Sequence, residues 1–102
     1  MKFAEIEFKT GRFDGKSAKL PLAGGLELSI IQNKYSYGGD QGLWEIGLID
    51  PNVGRMVFVK PWQDQVKGYL TEQDVENEID FLNKELKLLA SDLTRLISYE
   101  WP

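Results

Sequence analysis

Carboxylates and hydroxyls are the reactive side chains on offer, because the 102 residues include neither His nor Cys. Asp40 with Glu45 or Asp50 can be written as an acid–base pair, since hydrolysis by two carboxylates needs one kept protonated and the other ionised. Their spacing selects them over no other acids. Without His the commonest general base and transition-metal ligand is missing; without Cys there is no thiolate nucleophile, thiolate metal site or disulfide. Ser, Thr and Lys nucleophiles have no recognisable base beside them, and no Asp/Asn-rich stretch has the spacing of a calcium loop. The sequence therefore predicts no catalytic residue, no metal ligand, no cofactor and no enzyme.

Recognition chemistry is better represented. The run Tyr35-Ser36-Tyr37-Gly38-Gly39-Asp40-Gln41-Gly42 lacks the Gly-Lys-Ser/Thr ending of a phosphate cradle. It also precedes a strand, whereas phosphate and dinucleotide loops precede a helix. Two readings stay open: a mobile connection between strands, or a recognition loop whose tyrosines give rigid amphipathic contact area while the glycines let another backbone approach. On the second reading Tyr35, Tyr37, Asp40 and the following Trp44 are the contact residues. Trp44, like Trp62 and Tyr69 on either side of the polar linker at 63–68, has core capping as its alternative fate.

Charge is divided unevenly. Residues 1–70 carry nine Lys plus Arg and eight Asp plus Glu, whereas residues 71–102 carry three and eight, which places a charge of −5 in the last third of a chain whose net charge is −4. Glu72, Asp74, Glu76, Glu78 and Asp80 crowd one short stretch. Carboxylates at a helix start interact favourably with its dipole, and that together with solubility explains them structurally. The functional alternative is an acidic ridge facing a basic partner, a nucleic-acid mimic for instance, paid for in like-charge repulsion among Glu72, Glu76 and Asp80. Direct nucleic-acid binding is not expected at a pI near 4.8, with only a modest basic excess at Lys2, Lys9, Arg12, Lys16 and Lys19.

The elements that must position these groups change period near residue 70. Ala4, Ile6 and Phe8 alternate with charged residues over 2–9. The same alternation returns over 17–22 and at Leu26, Leu28 and Ile30, then over 43–49 and 55–59, with turns at Asp14-Gly15, Gly24-Gly25 and 50–54. About five short antiparallel strands in a meander follow, the second demoted to an edge by Pro21. Beyond them Thr71 reads as a helix N-cap, with Asp74 at the third helical position. Val75, Ile79, Leu82, Leu86, Leu89, Leu93 and Leu96 then form an unbroken heptad stripe. The expected fold is α+β: one domain over 1–102, a sheet region over 1–70 and a helix over 71–98 packed on it. Such a helix is about 40 Å long against about 20–25 Å of sheet. The excess predicts either a break near Ser91 or self-association, a homodimer, through Leu89, Leu93, Leu96 and Ile97.

No run of about 18 apolar residues and no signal-peptide pattern is visible, so neither a membrane partner nor secretion is expected, and a cytoplasmic location is. The segments Tyr35-Ser36-Tyr37-Gly38-Gly39-Asp40, Leu43-Trp44-Glu45-Ile46 and Gly68-Tyr69-Leu70-Thr71, ahead of an acidic helix, resemble those of small bacteriophage proteins over residues 26–80. The resemblance implies an accessory protein of the host cytoplasm that binds and redirects a host protein. The expected function is thus a protein-binding module acting through the acidic helix and the aromatic loop. The alternative is an assembly subunit joined through its C-terminal helix.

Overall fold

A computed structural model describes residues 1–88 and 93–100, and of Leu93 the backbone only. Its organising strand is Trp44–Asp50, rich in the aromatic and β-branched residues that suit a pleated surface. Numbered in chain order, β1 (Lys9–Thr10), β2 (Lys16–Pro21), β3 (Glu27–Gln32), β4 (Trp44–Asp50) and β5 (Arg55–Met56) form an antiparallel meander. Pairing Leu28 with Leu48 and Ile30 with Ile46 puts four large apolar side chains on one face. All four are essentially inaccessible to water. On that face lies helix α1 (Glu72–Leu88), which buries Val75, Ile79, Leu82 and Leu86. The class is α+β, an antiparallel sheet with one long helix packed on it.

Several expected elements move. The first strand shrinks to Lys9–Thr10, because Phe3–Glu5 forms a 3-10 turn in which the Lys2 N–H donates to Glu5 Oε1 at 2.7 Å. Phe3 and Phe8 still reach the core by packing on Trp44, with ring centroids 5.0 and 4.7 Å away. Residues 55–59 are not one strand. β5 pairs with β4 through Met56, with one further bond from the Val57 N–H to the Leu48 carbonyl at 3.0 Å, while β6 (Phe58–Val59) turns away to pair with β8 (Ile97–Ser98). The second half of the linker at 63–68 enters a strand, β7 (Val66–Leu70), which takes the part of the β4 edge that β5 leaves open.

The helix is also shorter than its heptad stripe. Seventeen residues at about 1.5 Å each give about 25 Å, the span of the sheet beneath. Leu93–Arg95 is a 3-10 turn and Ile97–Ser98 is a strand, so a helix over 71–98 is corrected. Leu96 and Ile97 are each 2% exposed and pack in this chain's own core. The Lys60 N–H donates to the Leu96 carbonyl at 2.8 Å. These two residues therefore present no self-association surface. Leu96 keeps the heptad spacing, with Ile97 beside it, because the segment after the helix still needs apolar residues for the same core. Leu89 and the break expected near Ser91 lie outside the described residues, as does the Leu93 side chain.

Thr71 and Asp74 cap the helix reciprocally: Thr71 Oγ1 accepts the Asp74 N–H at 3.1 Å, and Asp74 Oδ2 accepts the Thr71 N–H at 3.0 Å. Those bonds hold the Asp74 carboxyl below the usual carboxylate range. Replacing Thr71 with Ala should cost about 1 kcal/mol in urea unfolding, with an unchanged m-value.

Tyr99 is clamped to the β4–β5 turn. Tyr99 Oη donates to Asp50 Oδ2 at 2.5 Å, Asp50 Oδ1 accepts the Asn52 N–H at 2.9 Å, and the Arg55 guanidinium donates to the Tyr99 carbonyl. The phenol, followed by the Asn52 amide, pulls the Asp50 pKa down, while the adjoining carboxylate raises that of Tyr99. A depressed carboxyl contributes stability above its unfolded pKa that is lost as pH falls through the folded one. A raised phenol contributes stability below its unfolded pKa that is lost as pH rises through the folded one. The clamp should hold between the two titrations and loosen at both extremes, seen as loss of Tyr99 and Ser98 amide shifts. In Asp50→Asn the acid transition should vanish.

Candidate functional site

The loop between β3 and β4 is built by two short side chains. Asn33 Oδ1 accepts the N–H groups of Tyr35 and Ser36 at 2.8 and 2.9 Å, and Ser36 Oγ accepts the Asn33 N–H at 2.9 Å while donating to the Asn33 carbonyl at 3.0 Å. Such Asx-type bonds replace ladder bonds that a loop cannot make. They bury Ser36 and turn Tyr35 and Tyr37 outward. Glu45 on β4 then fixes the next residue, Oε1 accepting the Tyr37 N–H at 3.0 Å. The Tyr37 carbonyl accepts the Tyr69 N–H from β7 at 3.1 Å. The loop is thereby tied to the sheet at both tyrosines' level.

Two further aromatics join it. Phe13, in the turn between β1 and β2, meets Tyr35 edge-on at 4.6 Å between centroids. Tyr69 lies nearly parallel to Tyr37 at 6.4 Å. Phe13, Tyr35, Tyr37 and Tyr69 are 55–70% exposed. Such exposure leaves large apolar area in water that a stable fold has no need of. Phe13 and Tyr69 also have φ of 56° and 58°, a left-handed conformation that costs a bulky residue about 1–2 kcal/mol. Lys34 sits over both rings of the first pair, 5.3 Å from the centroid of Tyr35 and 5.8 Å from that of Phe13.

Of the contact residues expected from sequence, Tyr35 and Tyr37 lie in this surface and Asp40 is exposed in the adjoining 3-10 turn at Gly39–Gln41. Trp44 is corrected: at 4% exposure it is core, packed at tilted angles against Phe3 and Phe8. Phe13 and Tyr69 were not expected as contacts. A Phe inside a tight turn was the one local signal for the first; Tyr69 had none, because its position depends on β7 pairing with β4.

The acidic stretch is mostly occupied within the molecule. Asp74 caps the helix. Glu78 accepts from Lys67 Nζ at 2.6 Å and from Trp62 Nε1 at 3.1 Å. Glu76 lies 3.9 Å from Lys2 Nζ and Asp80 3.7 Å from the Met1 amine. Glu72 alone of the five makes no ion pair or hydrogen bond among the described residues, and it follows the aromatic surface by three residues. Glu45 and Asp50, written above as acid–base partners of Asp40, point to opposite faces of β4, one holding the loop and the other the C-terminal clamp. Among the described residues no group of three or more carboxylates is placed to hold a metal ion, and no helix is long and apolar enough to cross a membrane. No family model matches this sequence, and neither a curated protein nor a solved structure does.

Proposed function

We propose that this chain is a non-enzymatic binding module that recognises a protein partner through Phe13, Tyr35, Tyr37 and Tyr69. One observation carries the reading: four aromatic rings, each more than half exposed, are gathered at one end of the sheet, two of them on strained backbone. Rigid rings held this way supply hot-spot contacts at low entropic cost, and strain retained at an exposed position has no packing return to offset it. The acidic helix is a supporting element in this reading, since its carboxylates hold Lys67, Trp62 and the cap. The resemblance to small phage proteins adds that the partner is a host protein, met in the host cytoplasm.

The test separates binding from folding. Glycine at position 69 relieves the positive φ and removes the ring, so Tyr69→Gly should match or exceed the parent stability by about 1 kcal/mol. Combined with Tyr35→Ser and Tyr37→Ser, it should lose at least tenfold in affinity for a partner recovered by the parent protein from host lysate. Equal recovery by the triple variant, with both proteins folded, defeats the proposal.

A further inference from the structure

We infer that the segment bound by this surface is an extended acidic stretch of the partner protein, its carboxylates meeting Lys34 and Arg12 beside the Phe13–Tyr35 pair. The inference rests on the aromatic surface being the contact site and adds the chemistry of what it binds.

The two halves of the surface differ in charge. Beside Phe13 and Tyr35 are Arg12 in the same turn and Lys34 over both rings; Lys16 on β2 lies instead over the buried Trp44 ring, and Lys9 on β1 shares a groove with Glu5 and Glu7. Arg12 and Lys34 are exposed, and neither forms an ion pair among the described residues. Asp14 is the single carboxylate of that turn. The Tyr37–Tyr69 half has the opposite character: Lys67 is taken by Glu78 at 2.6 Å, and Glu72 follows at the helix start. In a chain of net charge −4, two cations without a carboxylate partner beside exposed rings are a local reversal. A carboxylate reaching Lys34 finds an ammonium already held over two aromatic faces.

Exposed ion pairs contribute little affinity singly, so the cations set orientation, partner choice and association rate while the rings supply binding energy. That division favours a short acidic peptide segment over a nucleic acid. A phosphodiester chain needs cations along its length, and this one would run from Lys34 toward Glu72 and the acidic helix. The segment is oriented by the same asymmetry, its acidic end at Phe13 and its apolar end at Tyr37 and Tyr69.

Fluorescence anisotropy with the whole chain tests this. The probes are dye-labelled ten-residue peptides alternating Glu, Gln or Lys with Pro, which are extended and soluble, together with a ten-nucleotide oligo-dT. The Glu–Pro peptide should bind at least tenfold more tightly than Gln–Pro and weaken at least threefold between 50 and 300 mM NaCl. The Lys–Pro peptide should not bind. Lys34→Glu with Arg12→Glu should abolish the preference for Glu over Gln, and circular dichroism should show the variant folded. No binding of Glu–Pro, equal binding of Gln–Pro, or tighter binding of oligo-dT each overturns the inference. The natural partner separates the two levels: if the charge reversals leave its affinity unchanged while Tyr35→Ser reduces it, the acidic segment is wrong and the aromatic site stands. If Tyr35→Ser has no effect either, the site itself is wrong.

Discussion

Leu82→Ala should remove about 3 kcal/mol of stability, a large share of what a domain of 102 residues possesses. Leu82 is completely buried at the middle of α1, flanked on the same face by Val75, Ile79 and Leu86, each at 2% exposure or less. The deleted methyl groups leave a cavity between a helix and a sheet, two rigid elements that close on it incompletely. Urea unfolding followed by circular dichroism should show a lower midpoint at constant slope. Phe81, one residue along and 37% exposed, is the control, and Phe81→Ala should cost under about 1 kcal/mol. Equal losses at the two positions would mean that the helix packs on a different face.

The second large effect falls on the loop. Gly39→Ala should cost about 2–3 kcal/mol and displace Tyr37, because no conformational adjustment accommodates a methyl there. A Cβ at position 39 would stand 1.8 Å from the Asn33 carbonyl oxygen and 2.4 Å from Ser36 Oγ. Neither can retreat, since the Asn33 carbonyl accepts from the Ser36 hydroxyl at 3.0 Å and from the Ser36 N–H at 3.2 Å. The same change at Gly42, where a Cβ would meet open space at a φ of 76°, should cost only the left-handed strain of about 1–2 kcal/mol. Thermal melts rank the two variants. On the proposed reading Gly39→Ala should also lower partner affinity far more than Gly42→Ala, since the methyl disrupts the Asn33–Ser36 bonds that turn Tyr35 and Tyr37 outward.

Leu82 was legible: 3.6-residue periodicity places it beside Val75, Ile79 and Leu86, and a helix buries whichever face carries the stripe. So were Thr71 and Asp74 as a cap, because capping is settled within four residues. Leu96 was misread for the same reason that Leu82 was read well. Spacing reports that a residue is buried, yet it does not say whether a helix or a returning strand buries it. Val66–Leu70 was invisible as a strand, since Lys67 and Gly68 lower its β-propensity and only the free edge of β4 makes the pairing worthwhile.

For the site the division is sharper. Tyr35, Tyr37 and the glycines between 38 and 42 were local, and so were apparent from the residues themselves. Phe13 lies 22 positions from Tyr35, and Tyr69 lies 32 from Tyr37; only the pairing of β2 with β3 and of β7 with β4 brings them into one surface. The acidic ridge shows the reverse. Five carboxylates in nine residues suggested an interaction face, but Lys67 and Trp62 come from across the fold to occupy Glu78. Composition and periodicity alone determined an α+β chain without His or Cys chemistry, with a capped helix and an aromatic turn. Tertiary structure decided that 93–98 is a 3-10 turn and a strand instead of helix, and which charges are already partnered. It also decided which rings stand together, because those depend on contacts between residues far apart in sequence that local spacing does not encode.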